Sequence, residues 1–257
     1  MAAPAADHYD KLYSTGYMSG FTDVYEYCRV KSVSSVLRGI AGSFQPKAVL
    51  DVGCGQGRYT ALLKECFPAA SITGVDFSPV AVEMAKHNIP DAAFVVGRAE
   101  DLSSLAPSSF DFLLSIEVLE HVEDVHQTIS EFARVLAPKG QLLVTTPCAN
   151  RFSLEWVENQ LRGGLKASPD GFKLFRTDPP EHVRRLTSKQ LCSLLEKAGL
   201  RVNTVVFRGH LLTRPCYMAH RLSRLPVKAF GELAYLDWRL MRNFPNGSTM
   251  LITAVKT

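Results

Sequence analysis

The run Ala48-Val-Leu-Asp-Val-Gly-Cys-Gly-Gln-Gly57 constrains this chain more than any other stretch. A short apolar segment ends in an acid, and three glycines follow at alternate positions. Residues Arg58–Cys66 then carry a helical pattern. Together they read as a buried strand, a tight turn and a helix start. Glycine permits positive φ there and lets a ligand approach the backbone closely. Glycine loops are also ordinary turns, so the rest of the chain must decide what this one holds.

From Ala48 onward a regular alternation follows. Ala48–Val52 reads as a strand and Arg58–Cys66 as a helix. Ser71–Phe77 is the next strand, and Ser78 with Pro79 forms a helix start running to about Asn88. Ala92–Val96 and Phe110–Ile116 are strands. Val125–Leu136 is helical, with Ile129, Phe132, Ala133 and Leu136 on one face. Pro138-Lys-Gly140 stops it, and Gln141–Thr146 is a strand. Repeated strand–helix units predict an α/β fold with a parallel sheet covered on both faces. After Pro147 the rhythm breaks. Cys148–Arg185 and His210–Phe244 read as irregular insertions, separated by a helix over Thr187–Ala198 and a strand over Val202–Phe207. Ser248–Val255 alternates as a final strand. Before the core, His8–Arg38 is rich in aromatics. Tyr9, Tyr13 and Tyr17 are four apart and share a face if helical, either packed on the domain or closing over a ligand. The 257 residues therefore read as one domain: an N-terminal helical lid (1–45), a cofactor-binding core (48–147) and two substrate-side insertions (148–186 and 210–245).

The charge excess is mild, +4, which argues against a nucleic-acid partner, since those show a concentrated basic face. Cys28, Cys54, Cys66, Cys148, Cys192 and Cys216 include no Cys-x-x-Cys pair, which argues against a zinc site and for a reducing compartment. The N-terminal residues lack a signal-peptide pattern, and no apolar run is long enough to span a bilayer. The expected location is the cytoplasm.

In a parallel α/β sheet, ligands bind at the carboxyl ends of the strands, where strand order reverses. Asp76 ends the second strand and can accept hydrogen bonds from both hydroxyls of a ribose. A dinucleotide fold asks for Gly-x-Gly-x-x-Gly, but the sixth position from Gly53 is Arg58. Asp51, just before the glycines, would repel a pyrophosphate. It suits a cationic, amino-bearing ligand such as S-adenosylmethionine (SAM).

Four motifs in order, Asp51-Val-Gly-Cys-Gly-Gln-Gly57, Gly74-Val-Asp76-Phe-Ser, Phe110-Asp-Phe and Arg134-Val-Leu-Ala-Pro-Lys-Gly140, resemble the class I SAM-dependent methyltransferases, over roughly Ala48–Pro147. The resemblance implies a Rossmann-like, seven-stranded, mostly parallel sheet with an antiparallel last strand, for which Ser248–Val255 is the candidate. It implies that Asp51, Gly53 and Gly55, with Cys54 between them, line the methionine side of SAM. Asp76 would bind ribose, Phe77 would stack on or flank adenine, and Ile116 and Glu117 would lie near the sulfur. Many relatives read Gly-Asp-Ala-Glu after the third strand, whereas this chain has Gly97-Arg98-Ala99-Glu100-Asp101. Arg98 cannot accept the adenine amine, which leaves the Ala99 backbone, Glu100, Asp101 or solvent.

Ser115-Ile-Glu-Val-Leu-Glu-His-Val-Glu-Asp124 is similar to the ubiquinone-type O-methyltransferase subgroup. If a helical turn starts at Glu117, then Glu117, Glu120 and His121 share one face and form a candidate site for a divalent ion such as Mg²⁺. The alternative is that Glu120 and His121 only order the loop. SAM supplies the electrophile for an in-line displacement, so the protein positions the acceptor and removes its proton. His121 and His182 are the candidate bases. His182 lies in Asp178-Pro-Pro-Glu-His-Val-Arg-Arg185, which is too late in the chain for the similar signature of DNA amino methyltransferases. Residues 201–245 hold eight Lys or Arg against two acids, interleaved with aromatics. That is either a solvated basic face or a surface for an anionic acceptor or anionic lipid. The expected activity is O-methylation of a small molecule or of a glycan- or lipid-linked hydroxyl. N-methylation of a small molecule, and SAM binding without turnover, stay open.

Overall fold

The structure, a computed structural model, describes residues 9–11, 13, 23–223 and 225–257. Tyr17 of the N-terminal aromatic series lies outside them. Helix α1 (Val24–Ala41) starts where the Asp23 carboxylate accepts the Glu26 N–H at 2.9 Å, a side-chain cap for an otherwise unpaired donor. The alternating core follows: β1 (Ala48–Val52), α2 (Arg58–Cys66), β2 (Ser71–Asp76), α3 (Pro79–Asn88), β3 (Ala93–Val96), β4 (Phe110–Ile116), α4 (Val125–Val135) and β5 (Leu136–Pro147). Ser78 caps α3 through the Ala81 N–H, with Pro79 at the first helical position. Strand β5 starts earlier than Pro138-Lys-Gly140 suggests. The chain leaves α4 directly into extended backbone at Leu136 and passes a bulge opposite Phe110/Phe112, which absorbs the turn residues into the strand.

Helix α5 (Leu154–Leu161), the short hairpin β6 (Leu165–Ala167)–β7 (Lys173–Phe175), α6 (Ser188–Lys197) and β8 (Leu200–Arg208) come next, then α7 (Thr213–Leu222), α8 (Val227–Met241) and β9 (Thr249–Lys256). The two segments expected to be irregular are thus partly regular, the second mostly helical. Pro226 stands at the N-cap of α8, and Pro215 falls in the first turn of α7. No intrahelical N–H is needed there, so both prolines are compatible with helix starts. Both helices pack on α1, where Val24 and Cys28 meet Cys216, Ala234 and Trp238.

The main sheet has the order β3-β2-β1-β4-β5-β9-β8. β1 to β5 pair in parallel, and β9 runs antiparallel to both β5 and β8. One face is covered by α4 and α6 through Ile129, Phe132, Leu191 and Leu195. The other is covered by α1 and α2 through Val33, Leu37 and Leu63. Sequence order reverses between β1 and β4, which opens a crevice at their carboxyl ends. No helix among the described residues is long and apolar enough to cross a membrane.

Candidate active site

The crevice holds a cavity of about 470 Å³. The glycine loop forms its floor. Gly53 has φ 75° and Gly55 φ 52°, and a Cβ on Gly53 would lie 2.3 Å from Val118 Cγ2; glycine is required at Gly53 on both counts. The loop is pinned to β2: the Gly53 and Cys54 N–H groups donate to the Val75 carbonyl at 2.8 and 3.0 Å. The Gly55 N–H donates to Asp76 Oδ2 at 2.8 Å. These three donors are spent within the chain. The loop is therefore a close-approach surface and not a cradle of N–H groups for a pyrophosphate.

Asp76 also accepts the Ser78 N–H, at 3.0 Å. The two backbone bonds aim its carboxylate into the cavity, and a carboxylate has lone pairs left for two further donors. Burial pushes its pKa up. Cys54, Phe77, Ile116 and Glu117 lie on the wall, as do Ala99 and Glu100. Glu100 is occupied by the Glu123 N–H at 2.7 Å and by Arg98 at 3.3 Å. The Asp101 carboxylate turns instead to the Ser103 N–H. Asp51 sits behind the loop rather than on the wall. It is 1% exposed and accepts the Thr60 hydroxyl at 2.7 Å. Burial raises it to about 7. Tyr9 and Tyr13 line the cavity from the N-terminal side; Tyr9 meets Phe77 edge-on at 5.1 Å and sets its hydroxyl 3.2 Å from His121 Nδ1.

The helical turn expected at Glu117 does not begin there. Glu117 has φ 54°, so the chain bends, and the turn closes from Val118 to His121 instead. That leaves Glu117 outside the group of donor atoms that Glu120 joins, though close enough for its charge to act on Glu120. Its carboxylate accepts the Thr145 hydroxyl at 2.8 Å and faces Arg208 at 3.5 Å and Arg29 at 3.8 Å. Burial opposes its charge, yet Arg208, Arg29 and Thr145 outweigh burial and hold Glu117 below the ordinary carboxylate value.

The first insertion completes the cluster that Glu117 leaves. Buried Arg184 donates to the Leu119 and Glu123 carbonyls at 2.8 and 2.9 Å, and the Val183 N–H donates to the Glu120 carbonyl at 2.8 Å. These bonds staple residues 181–184 onto the 117–123 turn. Side-chain donor atoms of Glu120, His121 and His182 consequently lie within 4.8 Å of one another. His121 Nδ1 is 3.0 Å from the Glu181 carbonyl. A carbonyl only accepts, so Nδ1 carries the proton and Nε2 keeps its lone pair. Burial, then neighbouring His182, lowers His121 to about 4. Burial and Glu117 raise Glu120 to about 7. Burial disfavours charge on His182, but Asp178 and Glu120 prevail and raise its pKa; Asp178 lies 3.8 Å from Nδ1. Two imidazoles and one carboxylate suit a borderline divalent transition ion. Mg²⁺ demands oxygen ligands, and the set Glu117, Glu120, His121 expected to hold it is not assembled.

A second cavity, of about 300 Å³, adjoins the first; Arg29, Glu117, Pro179 and His182 line both. Sequence reasoning missed Arg29, Tyr59 and Glu181 around these spaces, and had Arg208 only as one of the eight basic residues of 201–245. Nothing in their local sequence distinguishes them. For Tyr9 and Tyr13 the spacing of four was the available signal.

A family profile described as a methyltransferase domain matches residues 25–205. The ubiquinone biosynthesis O-methyltransferase of Saccharophagus degradans is 30% identical over 62% of this chain and 69% of its own length. The malonyl-[acyl-carrier protein] O-methyltransferase of Priestia megaterium is 30% identical over 48% of this chain and 46% of its own. In other curated relatives too the matched stretch covers only about half their length. Among solved structures, a SAM-dependent methyltransferase of Thermotoga maritima superposes with a TM-score of 0.61 at 21% identity, over 98% of this chain and 100% of that one. With the reversal crevice, the pinned glycine loop and the Asp76 carboxylate, these matches identify the chain as a class I SAM-dependent methyltransferase.

Proposed function

We propose that the enzyme transfers the SAM methyl group to a hydroxyl of a small molecule, or of a glycan- or lipid-linked acceptor, that enters through the second cavity. SAM would lie over the glycine loop, with its ribose on Asp76, its adenine beside Phe77, Ala99 and Glu100, and its methionine end toward Glu117 and Arg29. The observation that carries the O-methyl reading is His121. Its Nδ1 proton is committed to the Glu181 carbonyl, and its Nε2 faces the Glu120 carboxylate at 3.9 Å. A hydroxyl attacking the methyl carbon must lose its proton. Nε2 takes it, and ionised Glu120 stabilises the imidazolium that results. His182, whose charge is favoured, holds the ionised form of Glu120 in turn. The six cysteines, all free thiols, support a reducing, cytoplasmic setting. The test is transfer of an isotopically labelled methyl group across a panel of hydroxyl and amine acceptors, with the methylated atom located by NMR. Labelling of nitrogen alone would overturn the hydroxyl reading.

The pH dependence follows from Glu120. It is neutral below about 7 and charged above, so kcat is expected to rise through about pH 7. Glu120→Gln should lower kcat and flatten that rise. A folded-state pKa raised from 4.5 to about 7 means that the stability Glu120 contributes is complete below 4.5 and is lost as pH rises through about 7. The ionisation that supports turnover thus costs stability. An unchanged profile in Glu120→Gln would remove Glu120 from the mechanism.

Mg²⁺ finds little support in the donor set. Chelation followed by Mg²⁺ addition is expected to alter turnover by less than about twofold, because a two-imidazole site binds such a hard ion poorly. Recovery of lost activity on adding Mg²⁺, but not Mn²⁺ or Zn²⁺, would contradict this.

A further inference from the structure

Arg208 closes β8 with its side chain only 6% exposed, in the wall of the second cavity. Its Nη2 lies 3.5 Å from Glu117, at the limit of a hydrogen bond, and its Nη1 has no hydrogen-bond partner among the described residues. His182 Nδ1, on the same wall, is also buried without a hydrogen bond, the Asp178 carboxylate standing 3.8 Å from it. Buried donors in native proteins are nearly always satisfied, and a charged one left open is especially unfavourable. The open Arg208 Nη1 on the cavity wall, with His182 beside it, points to an acceptor supplied from outside the chain.

Charge supports the same reading. Five guanidinium and four carboxylate side chains line the cavity, 5 − 4 = +1 before His182 is counted. Arg162 and Arg214 are engaged by Glu158 at 3.0 and 2.7 Å. Arg185 is engaged by Glu155 and Asp178 at 2.8 and 2.6 Å. Arg208 retains an open donor, and it lines the second cavity but not the first. Its ligand therefore belongs on the acceptor side and is not the methionine carboxylate of SAM.

We propose that the second cavity is an anion subsite, in which Arg208 Nη1 binds a carboxylate or phosphate group of the acceptor and His182 Nδ1 flanks it. This rests on the reading of that cavity as the acceptor entrance. An acceptor anchored there would span from Arg208 past His182, which lines both cavities, and present its hydroxyl to His121.

The test uses the full chain loaded with S-adenosylhomocysteine, titrated by calorimetry with inorganic phosphate and, separately, with acetate at constant ionic strength. The two arms tell a phosphate from a carboxylate preference. Saturable binding of at least one ion is expected. Arg208→Gln should weaken it tenfold or more, Arg208→Lys should retain part of it, and both variants should bind S-adenosylhomocysteine within about threefold of the parent. Absence of saturable binding, or equal binding by Arg208→Gln, overturns the proposal. So does a parallel loss of S-adenosylhomocysteine affinity, which would assign Arg208 to the cofactor. Should Arg208→Gln not fold, crystals of the unmodified chain soaked in phosphate decide: an ion on Arg208 Nη1 supports the subsite, and its absence there overturns it. Failure of the methyltransferase reading itself would appear separately, as absence of S-adenosylhomocysteine binding by the parent chain.

Discussion

Asp76→Ala is expected to weaken binding of SAM and of S-adenosylhomocysteine by at least about 100-fold, or roughly 3 kcal/mol. Two losses combine in that figure. The ribose loses a charged acceptor, and hydrogen bonds to charged groups contribute about 1.5–3 kcal/mol each. The Gly55 and Ser78 N–H groups, which donate to the two carboxylate oxygens at 2.8 and 3.0 Å, lose their partner as well, so the glycine loop is no longer pinned to the end of β2. Asp76→Asn separates these contributions. It keeps one oxygen for the loop while removing the charge, and should fall between the parent and Asp76→Ala. Calorimetry with each ligand measures both variants, and full-strength binding by Asp76→Ala would falsify the placement of the ribose.

The second large effect is expected at His121. His121→Ala should lower kcat by about 10²–10⁴-fold, the range in which a positioned base operates. Affinity for S-adenosylhomocysteine should change by only a few-fold. The separation of the two readouts is the point of the experiment. His121 touches Tyr9 and the Glu181 carbonyl, so a purely structural role would loosen the N-terminal side of the cavity and weaken cofactor binding together with turnover. His121→Gln offers a control, since it can still donate to Glu181 but has no basic nitrogen. Turnover restored by His121→Gln would show that positioning suffices and that no base is needed at that atom.

The two variants probe parts of the site that differ in how they are encoded. Asp76 and the glycine loop were readable because their information is local. An apolar strand, an acid or glycines at its end and a capped helix fall within a few consecutive residues, and hydrophobic period and cap chemistry act over that range. The same locality made the strands of the main sheet legible, though not the β6–β7 hairpin, and let Ser78-Pro79 and Thr187 announce their helices. It failed over His210–Phe244, which reads as an irregular insertion because no local pattern shows what that segment packs against. Cys216, Ala234 and Trp238 bury against α1, and that burial supports the helices Thr213–Leu222 and Val227–Met241 where no local signal announced them.

The cluster of Glu120, His121 and His182 shows the same limit. Glu117, Glu120 and His121 are close in sequence, and the assumption of a helical turn made them one set. A single backbone angle, φ 54° at Glu117, breaks that set and turns Glu117 toward Arg208 and Arg29. Its place is taken by His182, held against Glu120 and His121 by Arg184 and by the backbone bond from Val183 to Glu120. The sequence by itself determined the α/β order, the glycine loop, the acid at the end of β2 and the methyltransferase family, because each is written in short-range patterns. The tertiary structure alone decided which carboxylate joins the two histidines, where the second cavity lies and that Arg208 faces it. Those depend on residues far apart along the chain, whose ionisation and pairing are set by burial and charge neighbours that no local window contains.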